Sequence, residues 1–204
     1  DIQVHKIINK KIAFFTAETI PSSAGGGRSA FYFARYFVQV NARVNLYCLN
    51  YNNKLKKNEI IDEVSIERIP YYNSSFFHKL LSIPRLIITY YRKVRNCEII
   101  FIYGTYLPLY FFILGFGLLL NKKVIFRSTL LGDDDLISIR NQFFLSWPFY
   151  SIVFKRISLY WAINNQFKDN WHKIFSTKTP VLCSVQGVDT IVFNALKRTE
   201  NKTD

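Results

Sequence analysis

The chain has 204 residues, of which 50% are hydrophobic and 17% aromatic, and its formal net charge at pH 7 is +13. This length is compatible with one large α/β domain or two small ones, and the apolar content excludes a disordered chain. The charge predicts attraction to an anionic partner such as nucleic acid, a phosphorylated ligand or an acidic membrane surface.

Apolar runs alternate regularly with amphipathic stretches along the chain. Strands are predicted at residues 11–16, 43–49, 64–69, 97–103, 123–127, 158–163 and 180–184. Helices are predicted at residues 28–39, 78–95, 107–120 and 137–154, and after Asn164, which can cap the last of them. This order predicts an α/β, Rossmann-like three-layer sandwich with a mostly parallel sheet of about seven strands.

Polar loops, prolines and glycines refine the predicted boundaries of these elements. Residues 50–58 are polar and indicate a surface loop, Pro70 is expected to end the third strand, and Pro148 is expected to bend the helix that contains it. Residues 99–121 carry no charge and could span a bilayer, but the glycines and proline within them favour a buried strand followed by a buried helix.

The domain prediction is a short extension at residues 1–10, one domain at 11–193, and a polar tail or linker at 194–204. The chain begins at Asp1, contains no methionine and carries no signal peptide, so we expect a trimmed domain. Neither the cysteines nor the histidines follow a metal-binding spacing, and Cys48, Cys97 and Cys183 lie in apolar runs. We therefore expect buried, reduced thiols in a cytoplasmic protein, without a metal or cofactor.

A glycine-rich segment, PSSAGGGR at residues 21–28, joins the first strand to the first helix. Ligands of parallel sheets bind at the carboxyl ends of the strands, where glycines allow the backbone to approach them and a helix start offers free N–H groups. The spacing matches neither the dinucleotide GxGxxG pattern nor a P-loop, so NAD and ATP are disfavoured. The alternative is a flexible turn without a ligand.

A second segment, RSTLLGDDD at residues 127–135, follows the fifth predicted strand. Its three carboxylates could bind a cation, orient sugar hydroxyls or act as a base. The alternative is that one of them caps the following helix while the others are solvated.

A third segment, QGVDTIVF at residues 186–193, resembles the "NGVDxxxF" segment of family 4 glycosyltransferases. The glycines at 25–27 are similar to the glycine loop of that family, and WAINN at 161–165 is similar to its sixth strand. The resemblance runs in order from Lys11 to about Phe193. It implies the N-terminal, acceptor-side half of a retaining, metal-independent GT-B enzyme, in which a C-terminal domain holds most of the donor nucleotide.

The resemblance also assigns site residues and partners. The glycine loop of the family lies against the donor diphosphate, which implies Gly25, Gly26 and Gly27 here, with Arg28 beside them. The acceptor side would be formed by Tyr103, Gly104, Ser128, Thr129, Asp133, Asp134 and Asp135. The implied partners are a nucleotide-sugar donor, a glycan or lipid-linked acceptor and the C-terminal domain. The catalytic residues are expected in that domain, so the chain alone should be inactive.

Two departures and several alternatives accompany this resemblance. The sequence has no histidine between His78 and His172, whereas many members carry one shortly after the fifth strand, and Gln186 replaces the usual asparagine. The helix at 78–95 carries Arg85, Arg92, Lys93 and Arg95 and could rest on an anionic cytoplasmic membrane face, or could simply be solvated. The rival functions are a non-catalytic Rossmann-like binding domain and a basic nucleic-acid-binding module, although no nucleic-acid recognition motif is present.

Overall fold

The computed structural model describes residues 8–21, 25–51, 54–71, 76–104, 107–130, 132, 135–175 and 179–184. The strands are β1 (Lys11–Thr16), β2 (Arg43–Tyr51), β3 (Asn58–Ile61), β4 (Val64–Tyr71), β5 (Ile99–Tyr103), β6 (Lys123–Arg127), β7 (Leu159–Ala162) and β8 (Val181–Cys183). The helices are α1 (Gly25–Gln39), α2 (Phe76–Arg95), α3 (Leu107–Leu119), α4 (Leu136–Gln142), α5 (Trp147–Phe154) and α6 (Asn165–Ile174). The resembled segment at 186–193 and the tail lie outside the described residues, as do Asp133 and Asp134.

The strands form one sheet in the order β3-β4-β2-β1-β5-β6-β7-β8, and every described pair is parallel except β3 with β4. The chain leaves β1 outward through β2 and β4, and later returns to the other side of β1 as β5. The strand order therefore reverses between β1 and β5. In open parallel sheets, ligands bind at such a switch point, beyond the carboxyl ends of the strands.

Two apolar clusters separate the layers of the sandwich. One lies beneath α1, whose Ala30, Phe31 and Ala34 pack on the inward side chains of β1, β2 and β4. The other contains side chains from α2, α3, α4, α5 and α6, which cover the opposite face of the sheet. The predicted three-layer α/β architecture is confirmed, and among the described helices α1 is the only one on its face.

The eighth strand, β3, was not predicted. It pairs antiparallel with β4 through a two-residue turn, Asp62 and Glu63, which both have positive φ angles of 46° and 66°. Such hairpin turns usually contain glycine or asparagine, so an Asp-Glu pair gave little sequence signal. The predicted loop at 50–58 is consequently too long at both ends, because Asn50 belongs to β2 and Asn58 begins β3.

Three further differences from the sequence prediction concern the two prolines and the glycine segment. Pro70 lies inside β4 rather than ending it, because β3 pairs only with residues 64–67 and leaves that part of β4 with a single described neighbour. The predicted bent helix is two helices, with Pro148 in the first turn of α5, where its missing N–H has no cost. The helix α1 begins at Gly25 instead of Arg28, so the glycines form its first turn.

The uncharged stretch at 99–121 forms β5 and α3, as the sequence predicts. None of the helices within the described ranges combines the length and the apolarity that a membrane span requires.

Candidate functional site

The candidate site lies at the carboxyl edge of the sheet, where the first turn of α1 faces the segment that follows β6. This helix is 15 residues long, and the N–H groups of its first turn have no carbonyl partner within the helix. A Cβ atom built on Gly26 would lie 3.4 Å from the hydroxyl oxygen of Thr129. Two of the segments that the sequence singled out are therefore neighbours in space.

The three glycines of this turn have different surroundings. A Cβ atom on Gly25 would meet no atom of the described residues within 4 Å, so this position is open. On Gly27 it would lie 2.0 Å from the carbonyl oxygen of Glu18, and the Thr19 hydroxyl donates a hydrogen bond to the Gly27 carbonyl over 3.3 Å. Gly27 thus permits close packing of α1 against the loop after β1, while Gly25 and Gly26 leave the helix start accessible. Arg28, the last residue of the predicted diphosphate segment, is exposed.

The residues predicted on the acceptor side are mostly enclosed. Tyr103 is buried, and burial raises the pKa of its hydroxyl well above the usual value. Gly104 turns the chain after β5 with a positive φ of 61°, and its N–H donates to the Arg127 carbonyl. Ser128 is fully buried and accepts a hydrogen bond from the Tyr160 hydroxyl over 3.0 Å. Of this group, Thr129 alone is both described and partly exposed beside α1.

Asp135 is the N-cap of α4, which confirms the alternative that one of the three carboxylates caps this helix. Its oxygens accept hydrogen bonds from the N–H groups of Ile137, Ser138 and Gly132, and from the Ser138 hydroxyl over 2.6 Å. Burial alone would raise the pKa of Asp135, but these hydrogen bonds hold it below the usual value. The carboxylate is therefore ionised at neutral pH and already saturated with donors.

Sequence reasoning missed Arg127, the last residue of β6. Its side chain is only 1% exposed and lies among three aromatic rings, with its guanidinium carbon 4.2 Å from the ring centre of Trp161, 5.0 Å from that of Phe33 and 5.3 Å from that of Tyr103. One nitrogen donates a long hydrogen bond of 3.4 Å to the Tyr103 hydroxyl, whereas Nε and Nη2 have no partner among the described residues. No described carboxylate forms an ion pair with it.

A fixed positive charge therefore lies under α1, on the same face of the sheet as the open helix start. Phe33 and Gly26 are seven residues apart, so they share a face of α1 and are separated by about 10 Å along its axis. The available sequence signal was a cation that ends an otherwise apolar strand, KVIFR. Within the described part of the chain, no three His, Cys, Asp or Glu side chains are placed to hold a metal ion.

Comparison with known proteins extends this picture through structure, not through sequence. No protein-family model and no curated protein sequence matches the chain. The structure is similar to Anabaena Alr3699/HepE in complex with UDP and glucose, with a TM-score of 0.62 and 12% identity over 90% of this chain and 46% of that one. The complex of the same protein with UDP-glucose gives a TM-score of 0.60 and 10% identity, with the same coverage of both chains.

Acinetobacter baumannii MurG is also similar, with a TM-score of 0.55 and 11% identity over 88% of this chain and 47% of that one. The chain thus spans about half the length of these structures. The α/β fold of this protein matches the Rossmann-like halves of the GT-B fold.

Proposed function

We propose that this chain is the N-terminal, acceptor-side half of a retaining, nucleotide-sugar-dependent glycosyltransferase of the family 4 type, acting in cell-surface polysaccharide or glycolipid synthesis. The observation that carries the proposal is the open first turn of α1 at the switch point of a GT-B-like half. Structures of similar fold contain UDP with glucose or UDP-glucose. In this proposal the diphosphate of such a donor lies at Gly25 and Gly26, where helix N–H groups favour an anion.

The proposed reaction transfers a glycosyl group between two oxygens. The bond from the anomeric carbon of the donor to the diphosphate oxygen breaks, a new bond forms to the acceptor hydroxyl oxygen, and the hydroxyl proton leaves with the diphosphate. The open helix start would stabilise the charge that develops on that diphosphate. The buried charge of Arg127 adds positive potential on the same face. The nucleotide pocket is expected in a second domain.

A glycine substitution tests the donor site. In the full-length protein, Gly26→Val places a branched side chain over the helix start, and we expect donor affinity to fall at least tenfold, or about 1.4 kcal/mol. Calorimetry with UDP-, GDP- and ADP-sugars measures this. The 204-residue chain alone should bind them more weakly than micromolar and transfer no sugar.

Gly115→Val is the matched control, because Gly115 is also a helical glycine and a Cβ atom there would meet nothing within 4 Å. It should leave donor affinity unchanged. Normal donor affinity in the Gly26→Val enzyme, or turnover by the 204-residue chain alone, would contradict the proposed division of the active site.

We also propose that the protein works on the cytoplasmic face of an anionic membrane, which it contacts through the helical layer opposite α1. None of α2, α3, α4 and α5 contains an aspartate or glutamate. The basic residues Arg92, Lys93 and Arg95 end α2, and Lys155 and Arg156 follow α5. These four helices carry only positive formal charges, which attract anionic lipid headgroups, whereas α6 adds one carboxylate, Asp169, to the layer.

The α4–α5 turn and the outer side of α5 supply an apolar patch to this layer. Phe144 is 70% exposed, Leu145 84%, Phe149 67% and Ile152 54%. On α5 the inward residues are Tyr150 and Phe154, so Phe149 and Ile152 project from the other side of the helix. Exposed aromatic and aliphatic side chains beside basic residues are typical of surfaces that insert into a membrane interface.

Vesicle binding tests this surface. The 204-residue chain should bind phosphatidylcholine vesicles that contain phosphatidylglycerol, bind pure phosphatidylcholine weakly, and dissociate as salt rises. Replacing both Leu145 and Phe149 by serine should weaken binding at least tenfold, since each buried side chain contributes about 1.5–3 kcal/mol. Sedimentation with vesicles measures the partition coefficient.

Ile60→Ser is the control, because Ile60 is 76% exposed on β3, at the far edge of the sheet. It should bind vesicles like the wild type. Two results would show that this surface does not dock on anionic lipid. One is equal binding of the wild type to both kinds of vesicle, and the other is an unchanged partition coefficient in the Leu145→Ser, Phe149→Ser double variant.

A further inference from the structure

A cleft of about 310 Å³ opens at the carboxyl ends of β1, β2 and β4, on the other side of β1 from β5. Its walls come from the loop after β1, the end of β2, the β2–β3 loop and β4. The residues that matter for its chemistry are Glu18, Leu49, Tyr51, Lys54, Leu55 and Arg68. This cleft contains none of the residues that the sequence assigned to the donor or the acceptor.

Buried polar side chains hold the shape of this cleft. Arg68 is 1% exposed and donates hydrogen bonds to the carbonyl oxygens of Ile20 and Lys56, over 2.9 and 3.0 Å, and pairs with Glu59 at 2.8 Å. It therefore joins the loop after β1 to the β2–β3 loop and to β3. The Asn50 side chain bonds both main-chain groups of Leu55, over 2.7 and 3.2 Å. The walls are thus fixed before a ligand arrives, which lowers the entropy cost of binding.

The lining is mainly apolar, with polar groups at a few points. Leu49, Tyr51 and Leu55 supply aliphatic and aromatic surface, whereas Glu18 and Lys54 supply charges of opposite sign. Burial raises the pKa of the Cys48 thiol to about 12, so this neighbour remains protonated and acts as apolar lining. A volume near the lower limit for small-molecule pockets, with an aromatic wall and few polar groups, suits one sugar ring, whose faces are apolar and whose edge carries hydroxyls.

The cleft adjoins the helix start where the donor diphosphate is proposed to lie. The carbonyl of Glu18 packs directly against Gly27, and the Thr19 hydroxyl donates to the Gly27 carbonyl. One short loop therefore forms part of the cleft and also supports the first turn of α1. An occupant of the cleft would lie beside the donor, in the position that an acceptor requires.

We infer that this cleft binds the terminal sugar of the acceptor. The inference rests on the proposed function and adds an acceptor position to those expected after β5 and β6. Tyr103 and Ser128 are enclosed by protein, and Asp135 is saturated with hydrogen-bond donors, so these three side chains have no free surface or acceptor capacity for a substrate. The cleft, in contrast, is open to solvent and preformed.

Filling the cleft tests this inference. The Leu55→Trp variant places an indole in it, and Leu182→Trp is the matched control, because Leu55 is 41% exposed and Leu182 is 42% exposed on β8. The probes are the methyl glycosides of glucose, galactose, mannose and N-acetylglucosamine, titrated into the 204-residue chain by saturation-transfer NMR. At least one should bind saturably to the wild type and to Leu182→Trp, and at least tenfold more weakly to Leu55→Trp.

Absence of saturable binding by all four glycosides, or equal binding to Leu55→Trp and the wild type, would overturn the inference. The donor experiment remains independent, because it measures nucleotide-sugar affinity in the Gly26→Val enzyme. If that variant loses donor affinity while no glycoside binds the cleft, the acceptor assignment fails and the proposed function stands. If the variant keeps donor affinity, the proposed function fails whatever the glycosides show.

Discussion

Replacing Gly27 by alanine should lower the free energy of unfolding by roughly 3 kcal/mol, at the upper end of the cost of overpacking. The added Cβ atom would lie 2.0 Å from the carbonyl oxygen of Glu18 and 2.7 Å from its carbon. Both are backbone atoms, so no side-chain rotation can relieve the contact, and the loop after β1 must move away from α1. The helix propensity of alanine is more favourable than that of glycine by about 1 kcal/mol, which is too little to offset this displacement.

Gly25→Ala is the control for this prediction. Its Cβ atom would meet nothing within 4 Å in the same helical turn, so the substitution should be neutral or slightly stabilising, by about 0.5 kcal/mol. Urea unfolding of both variants gives the comparison. Equal stability of the two variants would show that α1 does not pack on Glu18 as described.

The two most buried arginines of the described residues should respond differently to replacement by methionine. Arg68→Met removes the donors of two main-chain carbonyls, on Ile20 and Lys56, and the partner of Glu59, so we expect a loss of about 2–3 kcal/mol. Glu59 is 34% exposed on its side chain and can regain water, which limits the cost. This variant should also distort the cleft, because Arg68 joins the loops that form it.

Arg127→Met removes a buried charge whose Nε and Nη2 atoms have no partner, together with one long hydrogen bond. Losing the cation–π contacts destabilises the fold by about 2 kcal/mol. Removing the buried charge also removes its desolvation penalty, which stabilises the fold by a similar amount. We therefore expect stability within about 1 kcal/mol of the wild type, measured by urea unfolding with an unchanged slope. If Arg127→Met were as unstable as Arg68→Met, Arg127 would have a structural role that its contacts do not reveal.

The order of strands and helices was predictable because the signals are local. KIAFFT and KVIFR are short apolar runs between polar residues, and β1 and β6 have the predicted bounds. Asn164 caps α6 by accepting a hydrogen bond from the Phe167 N–H, as predicted, since a cap depends only on residues within one turn. The hairpin of β3 and β4 was missed because its turn residues, Asp62 and Glu63, adopt positive φ angles, and the sequence lacks the glycine that usually indicates such a turn.

By itself, the sequence determined the α/β architecture, the position of the glycine segment at the carboxyl edge, and the basic character of α2. These follow from periodicity, composition and the rules of parallel sheets, which need no knowledge of distant contacts. Only the tertiary structure decided that Gly25 is open while Gly27 is packed against Glu18, and that Asp135 caps α4. It also decided that Phe33, Tyr103 and Trp161 enclose Arg127. It further decided that Arg68 joins the loop after β1 to the β2–β3 loop and to β3, and so shapes the cleft between them. The physical reason is that each of these features depends on strand register and helix packing between residues far apart in sequence, where a shift of one position would move a side chain to the other face of the sheet.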